Sequence, residues 1–175
     1  GVASRICDPN TILSYDEANT CEELIKTIQS DYSTPCGGFQ LAVALVEQID
    51  TDWPTPQTSR EKATSYFTTT LHNQWGVGNP KCQDGIVLFV SIQDRTMYIS
   101  TGSGAKEYLT NRGIERAILA MKQEFVQQNF GKGIAQALNA IAKELAAGKT
   151  GNTVGEEKHS TEEYLMTAVA WVVCG

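Results

Sequence analysis

Behind Ser14, the apolar positions Ala18, Cys21, Leu24, Ile25 and Ile28 recur at helical spacing, which predicts a helix ending near Ser30. Ser14 and Glu17 frame its start as a capping box, hydroxyl at the cap and carboxylate three residues on. Pro35-Cys36-Gly37-Gly38 then punctuates the chain. Residues 39–49 (FQLAVALVEQI) are too continuously apolar for a half-exposed strand and lack helix caps, so they predict a buried central strand. The loop at 51–56 carries Pro54 and Pro56, which remove amide donors. Thr58-Ser59-Arg60-Glu61 offers a second capping box. The helix behind it carries Ala63, Tyr66, Phe67, Thr70 and Leu71 on one side and ends near Trp75.

Gly76-Val77-Gly78-Asn79-Pro80 breaks that helix, and residues 85–92 (GIVLFVSI) predict a second buried strand. A polar turn at Gln93-Asp94-Arg95-Thr96 leads into a third strand, Met97-Tyr98-Ile99-Ser100, pairing back as a hairpin. Gly102-Ser103-Gly104 ends it. Two apolar stripes follow, Ile114, Ala117, Ile118, Met121 and Phe125, then Phe130, Ile134, Ala137, Leu138, Ile141 and Leu145. Both predict helices whose stripes face a core rather than a cofactor. Residues 1–147 therefore read as the globular domain and 148–163 as a polar, glycine-rich linker. The tail at 164–175 is apolar up to Cys174 but well short of the ~20 residues that cross a bilayer. It is either the opening of a transmembrane segment or an extra element packed on the domain.

With 175 residues the chain has room for one full-sized core. Its net charge of -6, without any Lys/Arg cluster, argues against nucleic acid and anionic lipid as partners. The five cysteines (Cys7, Cys21, Cys36, Cys82 and Cys174) have no C-x-x-C spacing, and the two histidines lie far apart, which disfavours structural zinc. Disulfides in an oxidising compartment are favoured over free thiols. Cys36 and Cys82 each precede a central strand; if those strands are parallel neighbours the thiols share an edge, making Cys36–Cys82 the first candidate bridge. Cys7–Cys21 is the second, with Cys174 left single, although four cysteines allow three connectivities. Cys21 has the alternative of being simply a core residue of the first helix.

The element order carries phrases that resemble the TPM domain family: Trp75-Gly76-Val77-Gly78, Asp84-Gly85-Ile86-Val87-Leu88, Asp94-Arg95, Thr101-Gly102-Ser103-Gly104 and Tyr108-Leu109-Thr110-Asn111. Asn129-Phe130-Gly131-Lys132-Gly133-Ile134, and Asp8-Pro9 followed by Leu13-Ser14, are similar to further family segments. The likeness covers roughly residues 5–147. It implies an α/β fold, a three-layer α/β/α sandwich with a Rossmann-like central mixed sheet of about four strands flanked by helices. The family includes thylakoid-lumen proteins of photosystem II repair, bacterial membrane-linked proteins and an animal modulator of levamisole-type acetylcholine receptors; the cysteines and tail resemble the animal branch. The resemblance thus implies a secreted domain, or one on the extracellular face of a single-pass membrane protein.

If the two buried strands run parallel and the hairpin strand returns, the loops at 75–84 and 101–104 meet at one end of the sheet. Gly76, Gly78, Gly102 and Gly104, with Ser103 between the last two, would let amides point into a shared concavity. Asp84, Asn79, Thr110 and Asn111 would supply oxygen ligands, a donor set suited to a hard cation such as Ca²⁺. The bland alternative is that these glycine corners are ordinary turns. The family usually has aspartate where Asn111 stands, which weakens a metal reading. Glu107 occupies the third glycine position of a dinucleotide fingerprint, so no nucleotide cofactor is expected. Asp8, Asp94 and Arg95 are secondary candidates at the far end, although Asp94 and Arg95 read first as a solvated pair. His72 reads as a surface or partly packed residue rather than a general base.

Three functions fit. The first is a non-catalytic modulator or binding module for a membrane protein, with a receptor channel of the acetylcholine type as the implied partner. The second is a weak divalent-cation-dependent acid phosphatase, and the third a calcium-binding structural module.

Overall fold

The computed structural model describes residues 4–49 and 60–149. The chain runs β1 (Ile6–Cys7), α1 (Tyr15–Asp31), β2 (Ser33–Thr34), β3 (Gly37–Gly38), β4 (Gln40–Val46) and α2 (Arg60–Trp75). It continues through β5 (Gly85–Ser91), β6 (Thr96–Thr101), α3 (Ser103–Lys106), α4 (Asn111–Val126) and α5 (Phe130–Ala146). The main sheet has the order β1-β4-β5-β6, the first three strands parallel and β6 antiparallel to β5. β2 and β3 form a separate two-stranded ladder.

Alternation along the strands sorts the core into two layers. Leu41, Val43 and Leu45 of β4, Ile86, Leu88 and Val90 of β5, and Met97 and Ile99 of β6 share one cluster with residues of α1, α4 and α5. On the opposite face, Ala44, Val46, Ile49 and Phe89 cluster with Phe67 and Leu71 of α2. Phe67 meets Phe89 edge-on at 5.0 Å between ring centroids. Helices therefore cover both faces, giving the expected α/β/α sandwich.

Local chemistry explains the helix boundaries. At α1 the capping box is complete: Ser14 Oγ accepts from the Glu17 amide, and the Glu17 carboxylate accepts from the Ser14 amide at 2.9 Å. The proposed cap residues of α2, Thr58 and Ser59, lie outside the described residues. Glu124, buried near the end of α4, ties the turn into α5 by accepting from Lys132, Asn129 Nδ2 and Gln136 Nε2. Its carboxyl is held below the usual range, first by the Lys132 hydrogen bond and then by Asn129.

Two expectations need correction. The strand foreseen over 39–49 is shorter, Gln40–Val46, because Glu47 and Gln48 are exposed beyond the sheet. The Cys7–Cys21 bridge does not form. Cys21 is a free thiol, fully buried in α1 with its sulfur 3.8 Å from the Gly131 carbonyl oxygen. Burial, with Glu17 and Glu22 nearby, pushes its pKa to about 11. Cys7 is nevertheless disulfide-bonded, so its other half lies outside the described residues. Cys174, the linker from 150 on and the apolar tail lie outside them too.

Leu88 is fully buried at the centre of the larger cluster. Leu88→Ala is expected to lower the unfolding free energy by about 3 kcal/mol, measured as a reduced urea midpoint at unchanged slope.

Candidate functional site

The parallel pairing of β4 with β5 starts at Gln40↔Gly85, and β6 ends with Thr101 opposite Ile86. The segments before β4, before β5 and after β6 therefore converge on one rim. As expected, the Cys36–Cys82 disulfide closes there, linking residues 46 apart in sequence with a Cα–Cα distance of 6.0 Å. Beside it Asp84 is 1% exposed. Its Oδ2 accepts from Thr34 Oγ1 and its Oδ1 from the Asn79 amide, each at 2.7 Å. The Asp84 backbone carbonyl accepts from the Gln40 amide, whose side-chain oxygen takes the Gly78 amide. One buried carboxylate thus binds the β2 ladder to the loop before β5.

The two glycine corners do meet, but not as an open cradle. Gly78 has φ +99, and a Cβ there would lie 2.5 Å from the Gly85 nitrogen. On the other side, a Cβ on Gly104 would lie 1.9 Å from the Cys82 carbonyl oxygen. The amides of Gly104 and Ala105 both donate to the Gln83 carbonyl, and the Gly102 amide donates to that of Gly85. Residues 82–85 fill the space between the corners, and these amides are spent within the protein. Gly76 is exposed with φ +61, and Ser103 is exposed at the start of α3.

The remaining proposed ligands are similarly engaged. Asn79 Oδ1 accepts from the Lys81 amide, and Thr110 caps α4 by accepting from the Gly113 amide. Asn111 is exposed on the first turn of α4, and among the described residues no hydrogen bond joins Thr110 or Asn111 to Asp84. Calcium binds six to eight oxygens, several of them carboxylate. Asp84 is the single carboxylate among these four residues, with both oxygens occupied, and no group of three or more His, Cys, Asp or Glu able to hold a metal occurs among the described residues. The donor set does not fit a Ca²⁺ cage.

His72 belongs to this rim, packed more fully than the surface or partly packed residue that the sequence suggests. It is 7% exposed. Its Nε2 lies 3.0 Å from the Val77 carbonyl oxygen and its Nδ1 2.9 Å from Ser100 Oγ. A carbonyl can only accept, so Nε2 carries the proton and Nδ1 accepts from the hydroxyl. Both ring nitrogens are satisfied by the neutral form. Burial lowers the pKa, partly offset by the bond to Val77.

Asp8, Asp94 and Arg95 gather at the opposite rim, beyond the carboxyl ends of the parallel strands. The Asp8 oxygens accept from the amides of Ile12 and Leu13, at 2.9 and 2.8 Å. Asp94 Oδ2 accepts from the Ile49 amide and from Ser91 Oγ. Asp94 is therefore a loop anchor rather than half of a solvated pair with the exposed Arg95. Asn10, which the sequence did not single out, completes the set by accepting from the Glu47 amide at 3.0 Å. Its position right after Asp8-Pro9 was the available signal.

A family model for the TPM domain matches residues 6–144. The chain belongs to the TPM domain family. No curated protein matches it. Among solved structures, the N-terminal domain of a protein from P. gingivalis is 25% identical with a TM-score of 0.64, covering 82% of this chain and 83% of its own. A protein from the psychrophilic bacterium Bizionia argentinensis is 17% identical with a TM-score of 0.61, covering 79% and 85%. The N-terminal domain of a Corynebacterium glutamicum protein is 12% identical with a TM-score of 0.59, covering 91% and 92%. The last two show the fold alone. For this TPM domain, the phrases at Trp75–Gly78, Asp84-Gly85 and Thr101–Gly104 build one rim, and those at Asp8-Pro9 and Asp94-Arg95 lie at the other.

Two outcomes follow from this rim. Asp84→Ala leaves the Asn79 amide and Thr34 hydroxyl without their acceptor, so unfolding free energy should fall by about 3 kcal/mol, read by urea titration. Because the folded pKa of His72 is depressed, the unfolded chain takes up this proton first, and stability falls as pH drops below about 6.5, flattening below the folded value. The thermal midpoint of His72→Gln should therefore decline less on acidification through that window than that of the parent chain.

Proposed function

We propose that this TPM domain is a non-catalytic binding module of an oxidising, extracellular or lumenal compartment. The observation that carries this is the engagement of the rim's chemistry-bearing groups: both oxygens of Asp84 and both ring nitrogens of His72 hold the fold. A general base or metal ligand must reach the substrate, whereas Asp84 and His72 are buried and each bonds two neighbouring segments. Such bonding instead stiffens the loops, and a stiff loop surface loses little entropy on docking. The Cys36–Cys82 disulfide supports an oxidising setting.

The docking face we assign is this clipped rim, where Lys81, Gln83, Ser103 and Lys106 are exposed. The partner we assign is a membrane protein, a receptor channel being the kind implied by likeness to the animal branch. Among the described residues no helix is long and apolar enough to cross a membrane.

Two measurements test this. Hydrolysis of an aryl phosphate by the purified chain, with or without millimolar Ca²⁺ or Mg²⁺, is expected to equal the blank. Turnover that vanishes in Asp84→Asn, in a variant shown to remain folded, would establish the phosphatase instead. Applied outside cells expressing an acetylcholine-gated channel, the chain is expected to alter the agonist-evoked current, and a Lys81→Glu/Lys106→Glu variant to do so less. An unchanged current with the parent chain removes the receptor as partner.

A further inference from the structure

The α2 side of the sheet is unevenly covered. α2 packs chiefly over β5 and β6 and reaches β4 at Ala44 and Val46, whereas among the described elements none packs comparably on β1 from this side. β1 pairs in register Ile6↔Val43 and Cys7↔Ala44. Ile6 packs with Val43 in the larger cluster, so Cys7 and Ala44 share the α2 side. Ala42, two residues earlier, lies on that side as well and is half-buried. Ala44 is already buried among Phe67, Leu71 and Phe89, whereas the small side chain of half-buried Ala42 allows a further segment to approach the backbone beside β1 closely.

Cys7 is disulfide-bonded on this half-face. Cys36 is bonded to Cys82 and Cys21 is free, which leaves one other cysteine in the sequence, Cys174. That residue ends the apolar run YLMTAVAWVVC at 164–174. The chain leaves α5 at the disulfide-clipped rim, where Lys149 pairs with Glu107 and lies over the Tyr108 ring. From Lys149, the residues up to Cys174 reach about 27 Å as a flexible coil. The radius of gyration of a domain this size is about 15 Å. The tail is long enough to return to β1.

We propose that segment 164–174 docks on the β1–β4 half of the sheet, held by a disulfide between Cys7 and Cys174. The tail is then an additional element of the domain, and Cys174 lies outside any bilayer, since Cys7 stands on the sheet. The bond forms with loss of two thiol protons and two electrons to an oxidoreductase disulfide, which leaves as the dithiol.

Non-reducing tryptic mapping of the intact chain tests the pairing. With Glu-C added to separate Cys7 from Cys21, the expected product from the monomer is peptide 6–17 joined to peptide 164–175, and a link of Cys174 to peptide 18–22, its recovery as a free thiol or a link between two chains overturns it. Docking is read separately from Trp171 fluorescence, taken as the difference between the chain and Trp171→Phe. A blue-shifted emission shielded from iodide is expected, and quenching should rise several-fold in Cys174→Ser. An iodide-accessible Trp171 in the disulfide-bonded chain overturns docking. Flotation with phosphatidylcholine vesicles should leave the oxidised chain in the aqueous fraction; co-flotation with a shielded Trp171 overturns docking on the sheet.

Discussion

Burying a carboxylate is costly unless its oxygens find donors, and Asp84 finds them in two different segments, Thr34 and the Asn79 loop. Much of the rim follows from that requirement. The β2–β3 ladder is drawn against the start of β5, and the adjacent cysteines are brought within bonding distance. The covalent bond and the carboxylate clamp the same pair of loops. Closing a loop of this length by a disulfide removes about 4 kcal/mol of unfolded-chain entropy.

This division of labour explains which features were legible in the sequence. Long periodic helices and the continuous apolar runs of β4 and β5 announced themselves, because burial on both faces leaves no polar alternation to confuse the pattern. The parallel pairing of those strands then put Cys36 beside Cys82 by geometry alone. β1 and the β2–β3 ladder escaped, since two-residue strands carry no period; their existence depends on Val43 and Gly38 arriving from elsewhere in the chain. Cys21 was ambiguous because a helix-face thiol and a bridging one look identical until the neighbouring element, here Gly131 of α5, is in place.

The site was half legible. The glycine corners and Asp84 fall where the sequence put them, on one rim. What spacing could not reveal is occupancy: residues 82–85 fill the anticipated concavity and take the amides that a ligand would need. Neither could it show His72, whose burial depends on Val77 and Ser100 closing over it. Polar residues at turns look the same in sequence whether they face a ligand or the backbone. Here the described contacts are made to the protein's own backbone and side chains, at both ends of the sheet.

The buried thiol of α1 bears on how the chain acquires its covalent bonds. A thiolate is the attacking species in exchange, and with its pKa near 11 Cys21 is almost wholly protonated at neutral pH. Once α5 has docked on α1, this sulfur is chemically silent toward neighbouring bridges. Early assembly of the helical layer would therefore reduce five competing nucleophiles to four, narrowing the set of scrambled isomers before oxidation is complete.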